Sequence, residues 1–248
     1  NATSGTYSVG GSGITGQYSG QVDINYNTMR PQVPSSTVTT QFLANGITVT
    51  NAVTSGIAMV TGTTVHINNN TLTSVYRGIL ATGWSKKNLW SNANTIVVTP
   101  DPFTTSVPFP LQYGIAHGNN TAGTPPAGNN IISNTIAGPG ITANQKFYCI
   151  AVSQCRGTTV KCNATSNTTK GIAFLGLCVP TSFNHNSMTN QQYGYVLDNV
   201  GEIGIQGDSF NPTDNKWTGT WTGANFKTAT LGGSTAATSK IWVRSTSA

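Results

Sequence analysis

Charge is what this sequence has least of. Of its 248 residues, 7% are Asp, Glu, Lys or Arg, against about 25% in an average globular domain, and only six are acidic. That scarcity excludes a coiled coil with charged flanks and a helical bundle laced with i,i+4 ion pairs. No apolar run approaches the roughly 20 residues that a membrane-crossing helix needs. The net charge of +6 comes from 12 basic against 6 acidic residues, so it reflects missing carboxylates. Its tightest basic groups, Arg77, Lys86, Lys87 and Arg156, Lys161, Lys170, lack the dense interleaving with aromatics that nucleic-acid binding uses, and no nucleic-acid partner is expected. The three histidines, His66, His117 and His185, stand apart with no Ser or Cys pattern that would make a catalytic triad.

What is abundant is Thr, Gly and Asn, with 40, 28 and 26 copies. Asn (or Asp), then a small or hydroxyl residue, then an apolar one, recurs at Asn27, Asn51, Asn70, Asn94, Asn134, Asn186 and Asp208. The segment Val22 to Met29 aligns without gaps to Val65 to Leu72. A second marker, Gly followed by an apolar residue, falls at Gly56-Ile57, Gly78-Ile79, Gly114-Ile115 and Gly171-Ile172, with Cys149-Ile150 filling one slot and Gly194-Tyr195-Val196 one residue off pattern. Anchor spacings are 22, 36, 35, 22 and 24 residues, and both long intervals hold Pro- and Gly-rich insertions.

A basic period of 22 to 24 residues with β-branched stretches predicts an all-β chain, a right-handed parallel β-helix (β-solenoid) of about eight coils closed by a C-terminal β cap. Equivalent positions on neighbouring coils then lie about 4.8 Å apart, close enough for an Asn at each corner to pass an amide hydrogen bond to the next. The expected division is a Gly/Ser/Thr-rich N-terminal cap or linker over 1–20, the β-helix over 21–211 and a C-terminal cap over 212–248. A flat ice-binding type of face needs Thr-x-Thr repeated from coil to coil, and the neighbours of Thr48-Val49-Thr50 do not repeat it.

Cys149, Cys155, Cys162 and Cys178 lack the CxxC pairs of a zinc site, so neither a metal nor a cofactor is assigned and two disulfides in an oxidising compartment are expected. Four cysteines allow three pairings. Stacking Ile150 on Ile172 brings Cys155 within one residue of Cys178, which favours that pair and, by remainder, Cys149 with Cys162.

Together, the glycine-apolar anchors, the Asn corners and the period resemble the right-handed parallel β-helix repeat family. The segments Ser4 to Gly11 and Asn215 to Gly219 are similar to parts of secreted and cell-surface proteins of Bacteroidota exported by type IX secretion. The resemblance implies a secreted or cell-surface location and transfers no catalytic residue.

Many parallel β-helices cleave polysaccharides, which takes two carboxylates about 5 to 9.5 Å apart. Asp198 and Glu202 are the close pair in sequence, and an enzyme needs them, or Asp23, to converge beside a basic residue. Aromatic residues are the stronger lead: Tyr76, Trp84 and Trp90, with Lys86 and Lys87, fall within one coil and are the expected glycan contacts, since sugar rings stack on exposed aromatic faces. Trp217 and Trp221 belong to the expected cap. The leading expectation is a non-enzymatic extracellular module, an adhesin segment, rigid spacer or glycan-contacting rod whose partners are surface glycans or secretion components. A polysaccharide lyase or glycoside hydrolase, and a self-associating phage or filament component, are the alternatives.

Overall fold

The computed structural model describes residues 12–17, 22–30, 45–50, 64–82, 88–98, 112–118, 128–141, 147–219, 221, 226–234 and 237–244. Among them are nineteen β-strands and no helix. Every strand pairing is parallel.

Strands three apart in sequence are neighbours in space. The first column is β1 (Ser12–Gln17), β4 (Asn45–Thr50), β7 (Ile79–Thr82), β10 (Gln112–Gly118) and β13 (Phe147–Ser153); another is β3 (Thr28–Met29), β6 (Thr71–Val75), β9 (Thr95–Val98) and β12 (Thr135–Ala137). The long strands β15 (Ala164–Leu177) and β17 (Ser187–Glu202) pair into both columns and join them as one 13-stranded sheet. The second sheet has six strands: β2 (Val22–Asn25), β5 (Thr64–Asn68), β8 (Asn88–Asn92), β11 (Asn129–Ile132), β14 (Thr158–Lys161) and β16 (Thr181–Asn184). Pairing continues past residue 211 through β18 (Lys216–Thr218) and β19 (Phe226–Thr230), each added in parallel to β17.

Alternation within each strand sends one side chain inward and the next outward. Ile47, Ile79, Ile115, Ile150, Ile172 and Tyr195 stack in one inward row, and all are buried. Ile24, Ile67, Ser91, Ile131, Val160 and Phe183 form another, so the lone hydroxyl of Ser91 interrupts an apolar file. Each fully buried aliphatic side chain contributes about 1.5 to 3 kcal/mol. Glycines stand where the chain enters the first column because neighbouring backbones press together there: a Cβ on Gly46 would lie 2.8 Å from the Gly78 carbonyl oxygen and 2.9 Å from Leu72 Cδ1. The partner of Gly78-Ile79 on the N-terminal side is Gly46-Ile47, while Gly56-Ile57 lies outside the described residues. Gly194-Tyr195 is in step with Gly171-Ile172, because Ile172 pairs with Tyr195 and not with Val196.

The asparagine ladder is continuous and differs in membership from the expected one. Asn27, Asn70, Asn94, Asn134, Asn163, Asn186 and Asn215 follow one another, each amide N–H donating to the next side-chain oxygen at 2.9 to 3.0 Å. That oxygen also accepts the preceding asparagine's backbone N–H, and from Asn70 onward the second amide hydrogen reaches a strand carbonyl such as Ser91 O for Asn134. Buried amides satisfied on both ends rigidify a stack, and an orphaned end is costly. Asn27 bonds directly to Asn70, and Asn51 lies outside the described residues. Asp208 is not a member: its exposed carboxylate accepts the Phe210 and Asn211 N–H groups at 2.7 Å, a local turn ahead of Asn215.

The left-handed residue at each corner is the one before the ladder asparagine: Tyr26, Asn69, Ala93, Ser133, Cys162, His185 and Asp214, with φ between 52° and 60°. Most of these are neither Gly nor Asn, at about 1 to 2 kcal/mol each, which the ladder bonds offset. Thr28, Thr71, Thr95 and Thr135 stack in one outward row, but the row two residues on reads Thr73, Val97, Ala137, so no repeated Thr-x-Thr face forms.

Candidate functional site

Two outward faces carry ionisable groups. On the first column, Tyr148 of β13 pairs with Lys170 of β15, and Asp198 arrives one strand further on, opposite Leu175. The Lys170 ammonium lies 2.6 Å from Asp198 Oδ2 and donates to the Tyr148 oxygen at 2.8 Å, 4.5 Å above its ring; the Tyr148 hydroxyl donates to the same Asp198 oxygen at 3.0 Å. Burial pushes the Asp198 carboxyl up, but the hydrogen bond and charge of Lys170, with Tyr148 and the Asn199 N–H, outweigh it and hold the group below the usual carboxylate range. Burial, then the charge of Asp198, pushes the Tyr148 phenol well above its ordinary value. Near neutral pH the cluster therefore holds a charged Asp198 carboxylate against Lys170 and a neutral Tyr148 phenol. It ties three strands together.

Glu202 is not among the partners of Asp198. Its backbone carbonyl accepts from Cys178, and its residue pairs with Leu177. In the bend before β7, Arg77 sits 5.6 Å from the Tyr76 ring centre and 5.7 Å from that of Tyr113 on β10, whose hydroxyl burial pushes up to about 12 against the opposing charge of Arg77. Tyr76, Tyr113 and Tyr148 are 9%, 7% and 4% exposed, so Tyr76, an expected glycan contact, has no open face for a sugar ring.

The second sheet presents the opposite case. Asp23, His66, Trp90, Asn130, Thr159 and Ser182 follow one another in an outward row. The row begins with a 2.6 Å contact between Asp23 Oδ1 and His66 Nδ1, in side chains 46% and 24% exposed. Such a contact orients the imidazole, its Nδ1–H donating to the carboxylate oxygen. The His66 and Trp90 ring centres lie 4.9 Å apart at 45°, and the indole N–H donates to Gly128 O at 3.2 Å. Two residues on, Asn25, Asn68 and Asn92 each give the side-chain oxygen to a backbone N–H of the next strand, leaving the amide NH2 as the available donor. Half-buried rings, hydroxyls, amides and an exposed carboxylate are what a polar ligand with ring faces meets.

Of the expected glycan contacts, Trp84, Lys86 and Lys87 lie outside the described residues, and Tyr76 stands in the bend between β6 and β7 while Trp90 is on β8 of the second sheet. The expected disulfides are not formed: none of the four cysteines is bonded to another. The Cys155 and Cys178 thiols turn to the Ser153 and Val152 carbonyls, and buried Cys149 turns to those of Ile136 and Ser166 while Cys162 is exposed at its corner. Burial pushes Cys149 up to about 12 and Cys178 up to about 11, so both are thiols. His117 lies inside, its Nε2 2.8 Å from Ser91 Oγ, and burial pushes its pKa down to about 3. Among the described residues no group of three or more His, Cys, Asp or Glu stands close enough to hold a metal ion, and no helix is long and apolar enough to cross a membrane. In comparisons with known proteins, no family model, no curated protein and no solved structure matches the chain.

Sequence reasoning missed the pairing of Asp23 with His66, although the gapless alignment of Val22 to Met29 with Val65 to Leu72 already sets one above the other. Adding the 24 residues between Asn70 and Asn94 to His66 reaches Trp90.

Proposed function

We propose that this chain is a right-handed parallel β-helix and a non-enzymatic module of a secreted or cell-surface bacterial protein, akin to the Bacteroidota proteins it resembles, and that it contacts glycans. The helical reading is supported by the pairing of strands three apart and by seven stacked asparagine corners. The observation that carries the function is the contrast in chemistry: the one carboxylate with a lysine and a tyrosine on it, Asp198, is saturated, while the half-buried Trp90 and His66 rings lie against each other in one outward row with Asp23. A hydrolase needs a second carboxylate beside the first, and a sugar-binding face needs an accessible ring with polar neighbours.

A glycan array run with a polysaccharide-depolymerisation screen tests this on the purified chain and on Trp90→Ala and Asp198→Asn. Binding without turnover, lost in Trp90→Ala, is the expected result. Turnover abolished by Asp198→Asn would overturn the non-enzymatic reading, and silence toward every glycan would overturn the binding role.

A further inference from the structure

The second sheet also constrains what kind of glycan fits and how it lies. Its six strands, β2 to β16, present one outward side chain each in the row from Asp23 to Ser182, and at about 4.8 Å per strand the row is on the order of 24 Å long. Each strand is only four or five residues long, so a ligand laid along a single strand meets two or three outward positions, whereas one laid across the strands meets six. A long, thin ligand gains most contact by following the row.

Charge selects the chemistry. A polymer bearing a carboxylate or sulfate on every unit needs cations at a matching spacing. The described outward rows of this sheet hold the ammonium of Lys161 near one end and the Asp23 carboxylate at the other, with His66, Trp90, amides and hydroxyls in between. Amides and hydroxyls pair with hydroxyls, and the indole takes the C–H face of a ring.

We infer that the outer face of the second sheet is a binding track for an extended, uncharged polysaccharide running across the strands, with one sugar ring seated on Trp90. This rests on the glycan-contact reading and adds polymer charge and direction to it.

The test is a calorimetric titration of the full chain with neutral β-linked gluco- and xylo-oligosaccharides of increasing length, and with oligogalacturonates as the anionic probe. Affinity for the neutral series should rise with length and level off once the track is filled. Trp90→Ala should lower it about tenfold or more, with Trp90→Phe retaining most of it as the folding control. Thr159→Arg, a bulky block further along the row, should weaken long oligomers and leave disaccharides unchanged. Tighter binding of the galacturonates, still sensitive to Trp90→Ala, overturns the uncharged class while the glycan reading stands. Equal loss for short and long oligomers in Thr159→Arg overturns the direction. No binding to either series overturns both this inference and the reading beneath it.

Discussion

Two faces built on the same parallel stack are used in opposite ways. On the first column of the large sheet, Tyr148, Lys170 and Asp198 satisfy one another beside a small apolar cluster that includes Tyr113, Ala173 and Val196. On the second sheet, Asp23 Oδ1 meets His66 Nδ1, the His66 ring lies against Trp90, and the row stays partly open to solvent, with Asp23 exposed and both rings half-buried. Polar side chains covered by one another hold strands together, and those left partly open to solvent can meet a ligand.

The largest effect should come from cutting the spine that both faces share. Asn134→Ala removes an amide that accepts two bonds and donates two, leaving buried partners unpaired, so a loss of about 4 kcal/mol is expected in urea unfolding. Next, Lys170→Met should cost about 2 kcal/mol because it strands the mostly covered Asp198 carboxylate, and Lys170→Met/Asp198→Leu should recover much of it. Equal losses from Lys170→Met and from His66→Gln would erase the distinction between the faces.

Acid sharpens the comparison between the two histidines. His117 reaches from β10 to Ser91 of β8, linking the two sheets inside the core. Its folded pKa is depressed to about 3 from an ordinary 6.5, so below pH 6.5 the unfolded chain takes a proton that the folded chain refuses. Stability from this group is full above pH 6.5 and falls by about 1.4 kcal/mol per pH unit down to about pH 3, roughly 2 kcal/mol by pH 5. Chemical denaturation from pH 7 to 5 should show that slope, and His117→Gln should flatten it. The smallest stability effect belongs to Trp90→Ala, below about 1 kcal/mol in the same assay, since the indole is only half-buried.

Much of the stack was legible because stacking imposes a period. The alignment of Val22 to Met29 with Val65 to Leu72, the pairing of Ile150 with Ile172 and the place of Cys149 among the glycines are all observed registers. The three-residue corner pattern was less informative, because it describes a bend and not the strand that feeds it. It admitted Asp208, whose Phe210 is 91% exposed, and passed over Asn163, where buried Thr165 takes the apolar place, and Asn215, followed by Lys216. The disulfide expectation failed for a related reason: neighbouring strands bring backbones close, but each thiol's direction is set by its own rotamer and carbonyl neighbours. Lys170 and Tyr148 stand 22 residues apart, the anchor period, yet their contact with Asp198 depends on the reach of long side chains across two strands.

The division between a closed face and an open one is tested most directly by titrating a neutral oligosaccharide into the native chain, Trp90→Ala and Tyr148→Phe side by side. The account predicts that affinity falls about tenfold or more in Trp90→Ala and stays within about twofold of native in Tyr148→Phe. Loss of binding in Tyr148→Phe with Trp90→Ala unaffected would contradict it and move the ligand to the other face.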